Sequence, residues 1–62
     1  MQDGKKVILC VEDDPDIREA LTMVLESGGY TPVMAASAEQ GLKKYKEEDP
    51  DLVIVDLMME EV

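Results

Sequence analysis

The 62 residues carry 15 acidic and 6 basic side chains and no histidine, for a formal charge of −9. A chain of this length makes one domain at most and buries only roughly 60% of its unfolded surface, so a metal or a partner chain is an expected support. The charge excludes a nucleic-acid backbone binder, which needs a basic stripe. Cys10, the only cysteine, excludes an internal disulfide and a cysteine-built zinc site. There is neither a signal peptide nor an apolar run near the ~20 residues that span a bilayer, so the expected location is cytoplasmic, with no membrane partner.

After the polar lead-in of Met1 to Lys6, Val7-Ile8-Leu9-Cys10-Val11 is short and uniformly apolar. It reads as a central parallel strand covered on both faces, with Cys10 a small core residue. Asp14-Pro15 predicts a helix start, Asp14 as N-cap and Pro15 at the first helical position. Ile17, Ala20, Leu21, Val24 and Leu25 then form one apolar stripe, and Gly28-Gly29 ends the helix because glycine accepts the left-handed conformation.

Tyr30 to Ala36 reads as a second strand. Pro32 cannot donate to a ladder, which assigns this strand to a sheet edge. Ser37-Ala38-Glu39-Gln40 matches a capping box, with Gln40 reaching back. The helix it opens runs to about Glu47 or Glu48, with Ala38, Leu42 and Tyr45 inward and Lys43, Lys44 and Lys46 on a solvated face. Gly41 within it is compatible with close helix–sheet packing. Asp49-Pro50 is a turn. Leu52-Val53-Ile54-Val55 running into Asp56 is a third strand, also read as fully buried, which the chain leaves from Met58 to Val62. The alternation β-α-β-α-β predicts a parallel sheet with right-handed crossovers.

Acids follow two of these runs: Glu12-Asp13-Asp14 after the first strand and Asp56 after the third. With the two strands side by side and parallel, Glu12, Asp13 and Asp56 converge at one sheet edge. Three carboxylates gathered there are costly unless a hard cation or a proton offsets their repulsion. Asp14 and Asp16 read instead as cap and turn formers, and Tyr30, Tyr45 and Met58-Met59 as packing residues.

Val11-Glu12-Asp13-Asp14-Pro15-Asp16-Ile17-Arg18 together with Asp51-Leu52-Val53-Ile54-Val55-Asp56-Leu57-Met58-Met59 resembles a two-component response-regulator receiver domain. The Ser37 to Leu42 segment resembles the family as well, in register. The resemblance implies an α/β, flavodoxin-like, doubly wound parallel sheet in order 2-1-3-4-5, here truncated to β-α-β-α-β with strand order 2-1-3. It implies that Asp56 is the phosphoacceptor. Mg²⁺ would be held by Asp13 and Asp56 directly, by Glu12 through water, and by the main-chain carbonyl of Met58. The implied partner is a sensor histidine kinase or a phosphotransfer protein. The chemistry agrees: Mg²⁺ takes oxygen ligands while keeping several waters, and a carboxylate can attack phosphorus.

Two departures accompany the resemblance. Receivers usually carry proline four residues after the phosphoacceptor and then glycine, where this chain has Glu60 and Glu61. The sequence also spans about half a receiver, so the hydroxyl residue and the lysine of the later strands have no counterpart in it. The expectation is a half-domain with nucleophile and metal ligands but no readout machinery. An alternative is a self-associating structural half-domain, a homo-oligomer formed through the third strand by Leu52, Val53, Ile54, Val55 and Leu57. A phosphatase is disfavoured: haloacid-dehalogenase-type enzymes place a second aspartate two positions after the nucleophile, and Met58 stands there. The chain is therefore not expected to be an enzyme.

Overall fold

A computed structural model of the chain describes residues 4–55. Five elements follow in order: β1 (Val7–Val11), α1 (Pro15–Ser27), β2 (Thr31–Ala35), α2 (Ala38–Glu48) and β3 (Leu52–Val55). The three strands are parallel in the order β2-β1-β3, with Val11 paired to Ala35 on one side and to Val55 on the other. The step from β1 to β2 and the step from β2 to β3 run in opposite directions across the sheet. Two right-handed crossovers of opposite direction put their helices on opposite faces. This is the flavodoxin-like arrangement that the receiver resemblance implies, built on the parallel sheet that the alternation of elements predicts.

Register is fixed where the strands begin. The Thr31 N–H donates to the Lys6 carbonyl at 2.8 Å on one side of β1. On the other side Val7 is held twice by Asp51, whose N–H donates to the Val7 carbonyl at 2.8 Å and whose carboxylate accepts the Val7 N–H at 2.8 Å. A one-residue slip would turn every strand side chain to the wrong face, so these bonds align the opposite, carboxyl ends as well.

The helix ends follow their sequence signals. Asp14 caps α1, its Oδ1 accepting from Asp16 N–H at 2.8 Å and from Ile17 N–H at 3.4 Å. At the other end Gly29 takes φ +88°. The Gly29 N–H bonds to the Glu26 carbonyl and the Tyr30 N–H to the Leu25 carbonyl, the paired closure of a Schellman motif. Ser37 caps α2 by accepting the Gln40 N–H. Gln40 reaches back one residue farther than a capping box predicts, its Oε1 accepting the Ala36 N–H at 3.0 Å. Asp49 stops α2 in the left-handed region, at φ 49°.

The core is β1 and what touches it: Ile8, Leu9, Cys10, Val11 and Ala35 are buried. The expectation of a strand covered on both faces holds for β1, and burial pushes the Cys10 thiol pKa up. It fails for β3, where all four residues are between 38% and 55% exposed. The cause is placement: β3 is an edge strand, and α2 packs on β1 and β2 rather than over it.

The buried face of α1 differs from the predicted stripe. Arg18, Leu21, Thr22 and Leu25 are half-buried, while Ile17, Ala20 and Val24 are exposed. The spacing is the same helical face rotated by one residue, since α1 lies chiefly against the edge strand β2. On the other face Gly41 is buried, and a Cβ there would stand 2.7 Å from Val11 Cγ2. That contact brings α2 close to β1. Leu42 and Tyr45 point at the sheet as predicted but stay more than half exposed. With Leu9, Val11, Val53 and Val55 they line an open apolar groove of about 360 Å³ beside β3. Among the described residues, no helix is long and apolar enough to cross a membrane.

Candidate functional site

The carboxyl edge of the sheet begins one residue past Val11. The Glu12 N–H donates to the Ala35 carbonyl at 2.9 Å, carrying the β1–β2 ladder one residue beyond the strand. Because that bond holds Glu12 in the sheet, its side chain is buried, at 4% exposure. A buried carboxylate is costly unless it is hydrogen-bonded or paired, and Glu12 Oε2 accepts the Asp14 N–H at 3.1 Å. Asp13, at the bend between them, is exposed.

Two further bonds shape the turn. The Asp14 cap ties the loop to the first turn of α1. The Arg18 side chain donates from Nη1 to the Glu12 main-chain carbonyl at 2.8 Å. Glu12 is thereby held through its amide, its carbonyl and its carboxylate. Asp13 and Asp14 both face water, and of the two it is Asp14 whose carboxylate is committed to capping α1.

Of the sequence-predicted site residues, Glu12 and Asp13 are described, adjacent and at the expected edge; Asp56 and Met58 lie outside the described residues, as do Leu57, Met59, Glu60 and Glu61. Among the described residues, no group of three histidine, cysteine, aspartate or glutamate side chains gathers as a metal cage. The donor chemistry of the turn nevertheless fits Mg²⁺: hard carboxylate oxygens, one of them on a solvent-facing side chain, suit a cation that retains most of its waters. Arg18 is the contributor that the sequence reading passed over. Its signal is a cation in the first turns of a helix, where the macrodipole favours acids.

A three-stranded parallel sheet in order 2-1-3, flanked by helices and carrying an acid pair at the carboxyl end of its central strand, defines a flavodoxin-like α/β unit. The chain belongs to the response regulator receiver domain family, whose model matches residues 8–62. It is 44% identical over 52 residues to the transcriptional regulatory protein AfsQ1 of Streptomyces coelicolor, covering 84% of this chain and 23% of the relative. It is 39% identical over 59 residues to the DNA-binding response regulator MtrA of Mycolicibacterium smegmatis, covering 95% and 26%. The alkaline phosphatase synthesis transcriptional regulatory protein PhoP of Bacillus subtilis is 41% identical over 54 residues, covering 87% and 22%. The chain thus spans about a quarter of the length of these relatives.

Proposed function

We propose that the chain is a phosphoacceptor module of two-component signalling, in which Asp56 receives a phosphoryl group from a histidine kinase or phosphotransfer partner with Mg²⁺ bound. The observation that supports this reading is the parallel pairing Val11↔Val55: the acid pair follows Val11 in the chain, and Asp56 follows Val55. Ligands of open α/β sheets bind outside the carboxyl ends of the strands, at the point where strand order reverses. In this sheet the reversal falls at β1.

In the proposed transfer an Asp56 carboxylate oxygen attacks the phosphorus of a phosphohistidine. The O–P bond forms as the N–P bond breaks, and the electron pair returns to the imidazole nitrogen, which is protonated from solvent. Asp13, Asp56 and the Met58 carbonyl would hold Mg²⁺, with Glu12 assisting through water. When bound, the ion neutralises the carboxylates and the charge on the transferring oxygens. Without that neutralisation a nucleophile flanked by two acids repels an anionic donor. The role of Glu12 is to stay in the sheet and orient its neighbour, and the role of Asp13 is to present oxygens to solvent.

Titrating Mg²⁺ with and without beryllofluoride, while following backbone amide shifts, tests the reading. Residues around Glu12, Asp13 and Asp56 shift together, Asp13→Asn weakens the response, Asp16→Asn leaves it nearly intact, and Asp56→Asn abolishes the beryllofluoride effect. Equal losses from Asp13→Asn and Asp16→Asn would mean diffuse charge and no site.

A second reading has its own support. β3 is an exposed edge strand bordered by an apolar groove, a template for another strand. Two copies joined through β3 would extend the sheet across a two-fold axis.

A further inference from the structure

We propose that Arg18 is a positioning residue of the acidic edge, clamping the Glu12–Asp13 turn in the geometry that receives a divalent cation; this rests on the reading of the acid pair as a cation site. Arg18 lies four residues after the Asp14 cap. At the N-terminal end of a helix the dipole disfavours a cation. Its half-buried position also sets it apart from an ordinary solvated surface charge. What it gains is the Glu12 carbonyl, 2.8 Å from Nη1.

That carbonyl lies where the chain leaves the sheet. A main-chain oxygen withdrawn from water needs a partner, and the guanidinium supplies one from across the turn. The bond fixes the peptide plane between Glu12 and Asp13, and so the direction in which Asp13 departs. With the Glu12 amide held by Ala35 and its carboxylate held by the Asp14 N–H, the Arg18 bond completes the frame. The guanidinium also brings a permanent positive charge to within 2.8 Å of the Glu12 carbonyl, at a turn that carries Glu12, Asp13 and Asp14, which eases their mutual repulsion.

The two contributions have opposite signs for cation binding, which makes the role measurable. A positive charge beside a cation site repels the cation. If Arg18 were only a surface charge, removing it would tighten Mg²⁺ binding; if it positions Asp13, removal weakens binding.

The experiment measures the Mg²⁺ dissociation constant of the full chain for wild type, Arg18→Met, Arg18→Lys, Leu25→Ala and Asp13→Asn, with amide hydrogen exchange at Glu12 and Asp14. Arg18→Met is expected to weaken Mg²⁺ binding about tenfold, the low end of what outer partners of metal ligands contribute, and to speed exchange at Asp14, whose N–H donates to Glu12 Oε2. Arg18→Lys, with one donor in a looser geometry, falls between Arg18→Met and wild type. Leu25→Ala loosens the same helix away from the clamp and leaves the affinity of the folded fraction unchanged. Unchanged or tighter binding in Arg18→Met, with Asp13→Asn still disruptive, overturns the positioning role and leaves the cation site standing. An Asp13→Asn variant that binds like wild type overturns the site and the positioning role together. If Arg18→Met does not fold, Arg18→Lys decides: wild-type affinity alongside an unprotected Asp14 amide overturns the clamp.

Discussion

Successive side chains of a strand point to opposite faces, and at the end of β1 this alternation separates Glu12, buried, from Asp13, exposed. The same pairing of neighbours governs Asp14 and Pro15, a cap and a first helical residue whose roles were legible from residue type alone. Asp14→Ala removes the acceptor for two amides and should lower stability by about 1 kcal/mol in urea unfolding; an unchanged midpoint would mean that water replaces the cap. Cys10 was equally legible, as a small residue inside an apolar run. It is fully buried and its thiol pKa is raised by that burial, so at mildly alkaline pH the native thiolate is scarcer than in the unfolded chain. Alkylation of Cys10 should accordingly be slow in native buffer and fast in urea. Equal rates would contradict a packed β1. For Arg18 the unfavourable placement of a cation in the first turns of a helix was legible, but its reach back six residues to the Glu12 carbonyl was not.

At the scale of elements, the strands and helices stand where apolar periodicity and caps put them, while their exposure does not follow from the same signals. Leu52-Val53-Ile54-Val55 has the uniform apolarity of a covered strand, yet every residue in β3 is exposed. Composition reports the preference of a strand, and topology decides whether a neighbour satisfies it. The α1 stripe shows a milder form: Leu21 and Leu25 lie on both the predicted and the observed faces, and the seat of α1 against β2 chooses between Ile17 and Arg18. Gly41 was readable as a close approach, and the 2.7 Å that a Cβ would have from Val11 gives that reading a cost. Overpacking by a methyl costs about 1–3 kcal/mol, against about 1 kcal/mol gained in helix propensity. Gly41→Ala should therefore destabilise by about 1 kcal/mol, and that cost should shrink when it is made in a Val11→Ala background. Additive costs in the double variant would mean that α2 does not rest on Val11. For β3, Ile54→Lys should shift the sedimentation of the chain toward monomer if its edge joins two copies; identical sedimentation of variant and wild type at micromolar concentration would dismiss that contact.

For the molecule as a whole, the parallel sheet and the acid pair that follows its first strand are legible from three apolar runs, two capped helices and one edge proline, whereas the order 2-1-3 is what the receiver resemblance implies. Membership of the receiver family is what motivates the proposed role of Asp56, which periodicity alone could not suggest. The proposed function requires Asp56 to act with Glu12 and Asp13, the acid pair that follows β1, as one phosphoacceptor site. Its most direct measurement is mass-spectrometric localisation of phosphoryl label after incubating the chain with a small acyl-phosphate donor and Mg²⁺. The account predicts one phosphoryl group, on Asp56, absent in Asp56→Asn, absent after chelation of Mg²⁺ and reduced in Asp13→Asn. Label on another residue, or label on Asp56 that is indifferent to Mg²⁺ and to Asp13, would contradict it.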